Sequence, residues 1–202
     1  MQRTLTIARR EFVGYFNGPA AYIVVCLFMV LMGLFFWNPF FLINRATMSS
    51  MFDLMSVLLL PTAPAMTMGL LAVLLLLTLP YPFSVASLGR LDWGPVIGGY
   101  IALLLQGASM LAIGVLASSW TENQLIAFFT SGMICFALWI VTRFLPFLPE
   151  QLASAVEWVS FDYHFSSMMR GVIDSRDVIY FLSVIGFSLA LAFRSLESRR
   201  WS

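Results

Sequence analysis

The sequence predicts an all-α fold, a polytopic membrane helical bundle, from three observations. Sixty per cent of the residues are hydrophobic and ten per cent are charged, whereas soluble domains carry about 25% charged residues. The mean hydropathy is +0.90. The charges also fall between long uncharged runs, at 12–44, 54–89, 93–121, 123–142 and 178–193, each long enough, or nearly so, to cross a bilayer as a helix. Five or six spans with short connections account for all 202 residues as one transmembrane domain, 1–202.

The amino-terminal stretch MQRTLTIARREF contains Glu11 and lacks the compact apolar core of a cleavable signal, so the first span is expected in the mature protein. Leu5, Ala8, Phe12 and Tyr15 recur at helical spacing, with Arg3, Arg9, Arg10 and Glu11 largely on other faces. That pattern predicts an interfacial helix over about 2–16. The first span is predicted at about 19–37, starting at Pro19 after the helix-breaking NGP and ending at Trp37, with WNPFF as its exit.

Residues 54–89 hold 36 consecutive uncharged positions. As one helix they would measure roughly 54 Å, too long for a hydrocarbon core of ~30 Å. As two spans, about 52–68 and 69–88, they leave no residue for a loop. The next span, about 95–117, contains Gly98, Ala102, Gly107 and Gly114, small residues that let backbones approach closely, and is expected to be an internal packing helix. The polar turn at Ser118–Gln124 leads directly into a span at about 124–143, which makes a hairpin. Arg143 is placed to snorkel there, and Pro146 and Pro149 stop the helix.

The outer segment at about 146–176 interleaves Leu152, Val156, Val159, Phe161, Phe165, Met168 and Met169 with Glu157, Asp162, Arg170 and Asp174. It is expected to form short amphipathic helices at the membrane edge. The last span, about 178–194, is followed by the basic RSLESRRWS, suited to a cytoplasmic end. The two terminal arginine clusters lie on one side only if the number of spans is even.

Several chemistries are excluded. The eleven basic residues are all Arg and are scattered, so nucleic acid has no electrostatic footprint to rest on. Without lysine no P-loop is possible. The lone His164 has Asp162 two residues away and is read as an interfacial polar residue rather than a metal ligand or catalytic base. Cys26 and Cys135 fall in apolar runs and are expected to behave as small buried hydrophobes. The uncharged runs hold no ionisable residue that would mark an ion path.

Three stretches carry a resemblance: TIARREFVGYFNGPAAYIV at Thr6–Val24, LASSWTENQLIAF at Leu116–Phe128 and YHFSSMMRGVIDSRDVIYFLS at Tyr163–Ser183. Together they are similar to the permease subunits of type-2 ABC exporters, in the branch of the bacterial gliding-motility-associated permeases. RGVIDSRD directly before a last span is the most specific part. The resemblance implies six spans, an amino-terminal interfacial helix and outer re-entrant helices between spans five and six. It also implies a bacterial inner-membrane location with both termini cytoplasmic.

The resemblance further implies a separate ABC ATPase subunit that holds ATP and Mg, with no cofactor or catalytic site in this chain. A second permease copy or paralogue, and a membrane-anchored auxiliary subunit with an outer domain, would complete the complex. The ATPase would be contacted through Arg9, Arg10, Glu11, Thr121, Glu122 and Asn123, and the re-entrant outer segment would present Tyr163, His164, Arg170, Asp174, Arg176 and Asp177. Similar permeases carry a charged cytoplasmic stretch between spans two and three, and at Met68–Gly69 this sequence has none. The lack of lysine fits a charged loop left out of this sequence; a deletion or a naturally shortened form would give the same junction. The alternative function is a non-transporting membrane scaffold that passes force from cytoplasmic ATPases to an outer subunit.

Overall fold

The structure, a computed structural model, describes residues 13–14, 16–17, 19–43, 48–62, 68–88, 91–144, 149 and 156–199. Its elements are α1 (Pro19–Ile43), α2 (Ser49–Thr62), α3 (Met68–Leu77), α4 (Pro80–Leu88), α5 (Trp93–Trp120), α6 (Gln124–Phe144), α7 (Phe161–Met169) and α8 (Ser175–Arg199). Among the described residues all regular structure is helical, as lipid demands of a chain whose backbone polar groups must be satisfied within each segment. Among the described residues four stretches are long and apolar enough to cross a membrane: Met68–Ser87, Trp93–Trp120, Gln124–Phe144 and Ser175–Ser198.

Several boundaries differ from the sequence expectation. α1 runs on through WNPFF to Ile43, so Pro39 does not end it. α2 closes at Thr62, with Pro61 in its last turn. Met68 and Gly69 both belong to the first turn of α3, so the boundary expected between them is not there. The following apolar stretch is interrupted at Thr78 and Leu79 before Pro80, whose missing N–H and ring end the hydrogen-bond ladder. Thr78 Oγ1 donates to Leu75 O at 2.8 Å and accepts from Tyr100 Oη at 3.2 Å, fastening the break to α5. Of the interfacial helix expected at 2–16, residues 2–12 and 15 lie outside the described residues.

α5 is the central helix and packs most extensively against α8 and α6. Its start is set by Asp92, whose Oδ1 accepts the Gly94 N–H at 3.1 Å, a standard cap for an orphan donor. Lipid supplies no hydrophobic drive between helices, so close packing must supply the attraction. A Cβ on Gly99 would lie 2.5 Å from the Phe52 ring, and one on Gly107 would lie 2.6 Å from Leu71. Those two glycines seat α2 and α3 against α5. The buried core continues through Met55, Leu59, Leu74, Leu103, Met110, Cys135, Phe161, Phe165 and Phe181.

The contacts also give each helix a direction. Phe52 meets Tyr100 and Ser56 meets Gln106, so α2 runs parallel to α5. Leu71 meets Gly107 while Thr78 meets Tyr100, so α3 runs antiparallel to it. Ser109 bonds the Phe181 carbonyl and Ser195 the Ser119 carbonyl, so α8 is again parallel to α5. One end of the bundle therefore gathers Met68, Ser119 and Ser195, and the other gathers Trp93, α7 and the start of α8.

Candidate functional site

Residues 156–176 form a cap on the Trp93 end of the bundle, and residues 146–148 and 150–155 of the expected segment lie outside the described residues. Ser160 caps α7, its Oγ accepting from Tyr163 N at 3.4 Å, and its hydroxyl is also hydrogen-bonded to Thr142 near the end of α6. The α7 face made of Phe161, His164, Phe165 and Met168 is buried. Gly171, at φ +87°, then turns the chain over the start of α5. Its left-handed backbone suits glycine, and a Cβ there would lie 2.9 Å from the Pro95 nitrogen. Asp174 starts α8, its Oδ1 accepting from Arg176 N at 3.1 Å and from Ser175 Oγ at 3.4 Å.

Between α7 and α8 lies the most chemically loaded pair among the described residues. His164 is 3% exposed and Asp177 4%. His164 Nδ1 stands 2.7 Å from Asp177 Oδ1, and Nε2 is 3.4 Å from the Trp158 carbonyl. The imidazole stacks on Tyr180 with ring centres 4.0 Å apart, and the Tyr180 hydroxyl donates to Val159 O at 2.6 Å. Asp177 Oδ2 is buried and has no hydrogen-bond partner among the described residues. A cavity of about 140 Å³ adjoins the pair, lined by Glu157, Trp158, Tyr163, His164, Ser167, Asp174, Arg176 and Asp177. Among the described residues no group of three His, Cys, Asp or Glu side chains is arranged to hold a metal ion.

The structure gives His164 a partner that its sequence neighbours do not show: it is buried and paired with Asp177, thirteen residues away, rather than with Asp162. Asp162 instead lies in the first turn of α7, half-buried. Its burial pushes the carboxyl up from the ordinary value of 3.8, and the Arg143 charge opposes the shift. Arg143 itself is exposed and lies 5.2 Å over the Trp139 ring. Tyr163 is partly exposed and edge-on to His164, while Arg170 ends α7 with its own N–H bonded to Ser167 O at 3.2 Å.

The opposite end is plainer. Thr121 Oγ1 accepts from Asn123 N at 3.1 Å, and Asn123 Oδ1 accepts from Leu125 N at 2.9 Å. Both side chains thus shape the hairpin and cap α6, while Glu122 is exposed beside them. Arg9, Arg10 and Glu11 lie outside the described residues. Next to this turn, Met68, Ala112, Val115, Ser119, Leu189 and Leu196 line a largely apolar cavity of about 670 Å³ between α5 and α8. Cys135 is buried, but Cys26 is exposed on α1, contrary to expectation.

Sequence reasoning missed the Ser56–Gln106 pair, buried at the centre and joined at 2.8 and 3.1 Å. The one signal available was a lone Gln inside an apolar run. In comparison with known proteins, the chain matches no family model, no curated relative and no solved structure.

Proposed function

We propose that this chain is the membrane-spanning permease subunit of an ATP-driven exporter in a bacterial inner membrane. It would work as a pair, with a second copy or paralogue, beside an ABC ATPase and an outer auxiliary subunit. The observation that carries the proposal is the gathering of Met68, Ser119 and Ser195 at one end of the bundle, opposite the α7 cap. A six-span path with α1 and α2 as additional crossings has this alternation, and it brings the start of α3, the hairpin turn and the end of α8 to one surface. That surface would be cytoplasmic, which agrees with the arginines of both termini.

ATP and Mg would be held by the partner ATPase. Nucleotide binding there would bias two rigid-body arrangements of the spans, transmitted through Arg9, Arg10, Glu11 and the turn Thr121–Asn123. The full chain purified from native membranes is expected to retain an ATPase, and Glu122→Ala is expected to lower hydrolysis per complex without loss of assembly. A chain that reproducibly leaves the membrane without any ATPase would end the proposal.

A force-transmitting scaffold without a substrate path is favoured by one observation: Ser56 and Gln106 satisfy each other in a closed interior. Cross-linking across the paired copies separates the two readings. A cavity that opens with nucleotide supports export, and a dry interface in every nucleotide state supports the scaffold.

A further inference from the structure

His164 is the single histidine of the chain, and the fold sets an acceptor oxygen against each of its ring nitrogens. Nδ1 stands 2.7 Å from Asp177 Oδ1, and Nε2 lies 3.4 Å from the Trp158 carbonyl. A neutral imidazole carries one N–H and one bare nitrogen, whereas both nitrogens donate when the ring is protonated. The closed geometry therefore needs two protons, one on Nε2 and one on the line between Nδ1 and Oδ1. Remove either, and a nitrogen lone pair faces an oxygen lone pair.

The surroundings oppose that loss. His164 and Asp177 are almost wholly enclosed, and Asp177 Oδ2 is buried with no hydrogen-bond partner among the described residues. With two protons the pair is neutral overall; with one it becomes a buried anion, whose second oxygen has nothing to offset the charge. Glu157 and Asp174 line the adjoining cavity against the single charge of Arg176, so the near field is negative as well. Two other helices pack on α7. α5 has no charged side chain, and its Tyr100 is bonded to Thr78; α6 brings the buried Cys135 thiol and Arg143, whose charge acts on Asp162. Tyr163 is edge-on to the imidazole, Tyr180 stacks on it, and Arg170 at the end of α7 is exposed.

We propose that His164 and Asp177 form a proton-dependent latch that holds α7 onto the start of α8, closed with two protons and released when the pair loses one. Release would expose the buried α7 face of Phe161, Phe165 and Met168. The closed cap binds one proton more than an opened cap in which Asp177 is a solvated carboxylate and His164 a neutral imidazole, so closure weakens as pH rises. The proposal rests neither on a partner ATPase nor on which side of a membrane the cap faces.

The test uses the full chain in lipid nanodiscs, labelled with nitrogen-15 histidine and carrying a tag free of histidine, so that the ring signals come from His164 alone. Where the cap is protected, an N–H at Nε2 and a strongly deshielded proton between Nδ1 and Asp177 are expected together. Hydrogen exchange of α7 and the first turn of α8, corrected for the chemical effect of pH, is then followed from about pH 5 to about pH 9, which brackets ordinary imidazole titration. It is expected to quicken by about tenfold as the pair loses its proton, the equivalent of one hydrogen bond to a charged group. His164→Gln and Asp177→Asn should exchange fast at every pH, while Asp162→Asn, which leaves the pair intact, should keep the step. If the first two fail to fold, the wild-type titration and Asp162→Asn carry the test. A ring with a bare nitrogen inside a protected cap would overturn the proposal. So would a flat exchange profile in the wild type, a step that disappears in Asp162→Asn, or one that survives in Asp177→Asn.

Discussion

Gly98 of α5 lies directly against the backbone carbonyl of Met168 at the end of α7, so close that a Cβ at position 98 would collide with the oxygen. The contact is glycine against main chain, and neither side can yield by changing a rotamer. It sets how far the α7 cap settles onto the bundle, and so how tightly the His164–Asp177 pair is enclosed.

Gly98→Val is therefore expected to destabilise the protein by about 1–3 kcal/mol, the usual cost of overpacking. Gly132→Ala on α6, where a Cβ would meet nothing within 4 Å, should be neutral or stabilising by up to about 1 kcal/mol through helix propensity. Thermal unfolding of the detergent-solubilised chain compares the two. Equal behaviour would show that the cap does not bear on Gly98.

Gly171→Ala combines a left-handed backbone with a crowded site, at φ +87° and with the Pro95 nitrogen 2.9 Å from the added Cβ. The conformational term alone is about 1–2 kcal/mol. Hydrogen exchange should report the loss locally, with faster exchange across α7 and the first turn of α8 while the α5 centre stays protected. Uniform acceleration would contradict a local cap.

Ser56 and Gln106 should behave as a unit. Ser56→Ala or Gln106→Leu alone leaves a buried polar group without its partner, and each is expected to cost about 1 kcal/mol. The double variant should cost less than the sum of the two. A double-mutant cycle in denaturing detergent measures the coupling, and strict additivity would mean that the pair is not an interacting unit.

Asp162 gives a pH dependence with a defined sign. Burial raises its carboxyl above 3.8 in the folded chain, so the folded state binds the proton more tightly than the unfolded state. Its contribution is fully present below the unfolded value and is lost as pH rises through the raised folded value. Asp162→Asn should remove that loss and make the chain more stable than wild type at neutral pH. Arg143→Gln, which removes the opposing charge, should deepen it. Melting curves from acid to neutral pH decide the matter; an unchanged profile in Asp162→Asn would assign the dependence to another group.

At the other end, Asn123→Ala should cost about 1 kcal/mol as a lost helix cap, because the Asn123 Oδ1 that accepts the Leu125 N–H is removed. Melting of the detergent-solubilised chain measures it, and an unchanged melting temperature would show that the start of α6 does not rest on that cap.

Composition and the spacing of charges were enough to show that this chain is helical and apolar enough to enter a membrane. Uncharged runs are one-dimensional information, and a helix satisfies its own backbone, so neither inference needs to know what the helix touches. The enclosed character of α5 was legible for a related reason: Gly98, Ala102 and Gly107 announce close approach whatever the partner. Tertiary structure alone decided the partners. His164 has Asp162 beside it in sequence, yet two residues along a helix point to different faces, and the fold brings Asp177 to it instead. Pro39 and Met68 looked like boundaries by local rules, yet α1 runs past its proline to Ile43 and α3 starts one residue early, at Met68. The half-satisfied carboxylate of Asp177 has no sequence signature at all, since burial and a missing hydrogen bond are properties of the surroundings and not of the residue.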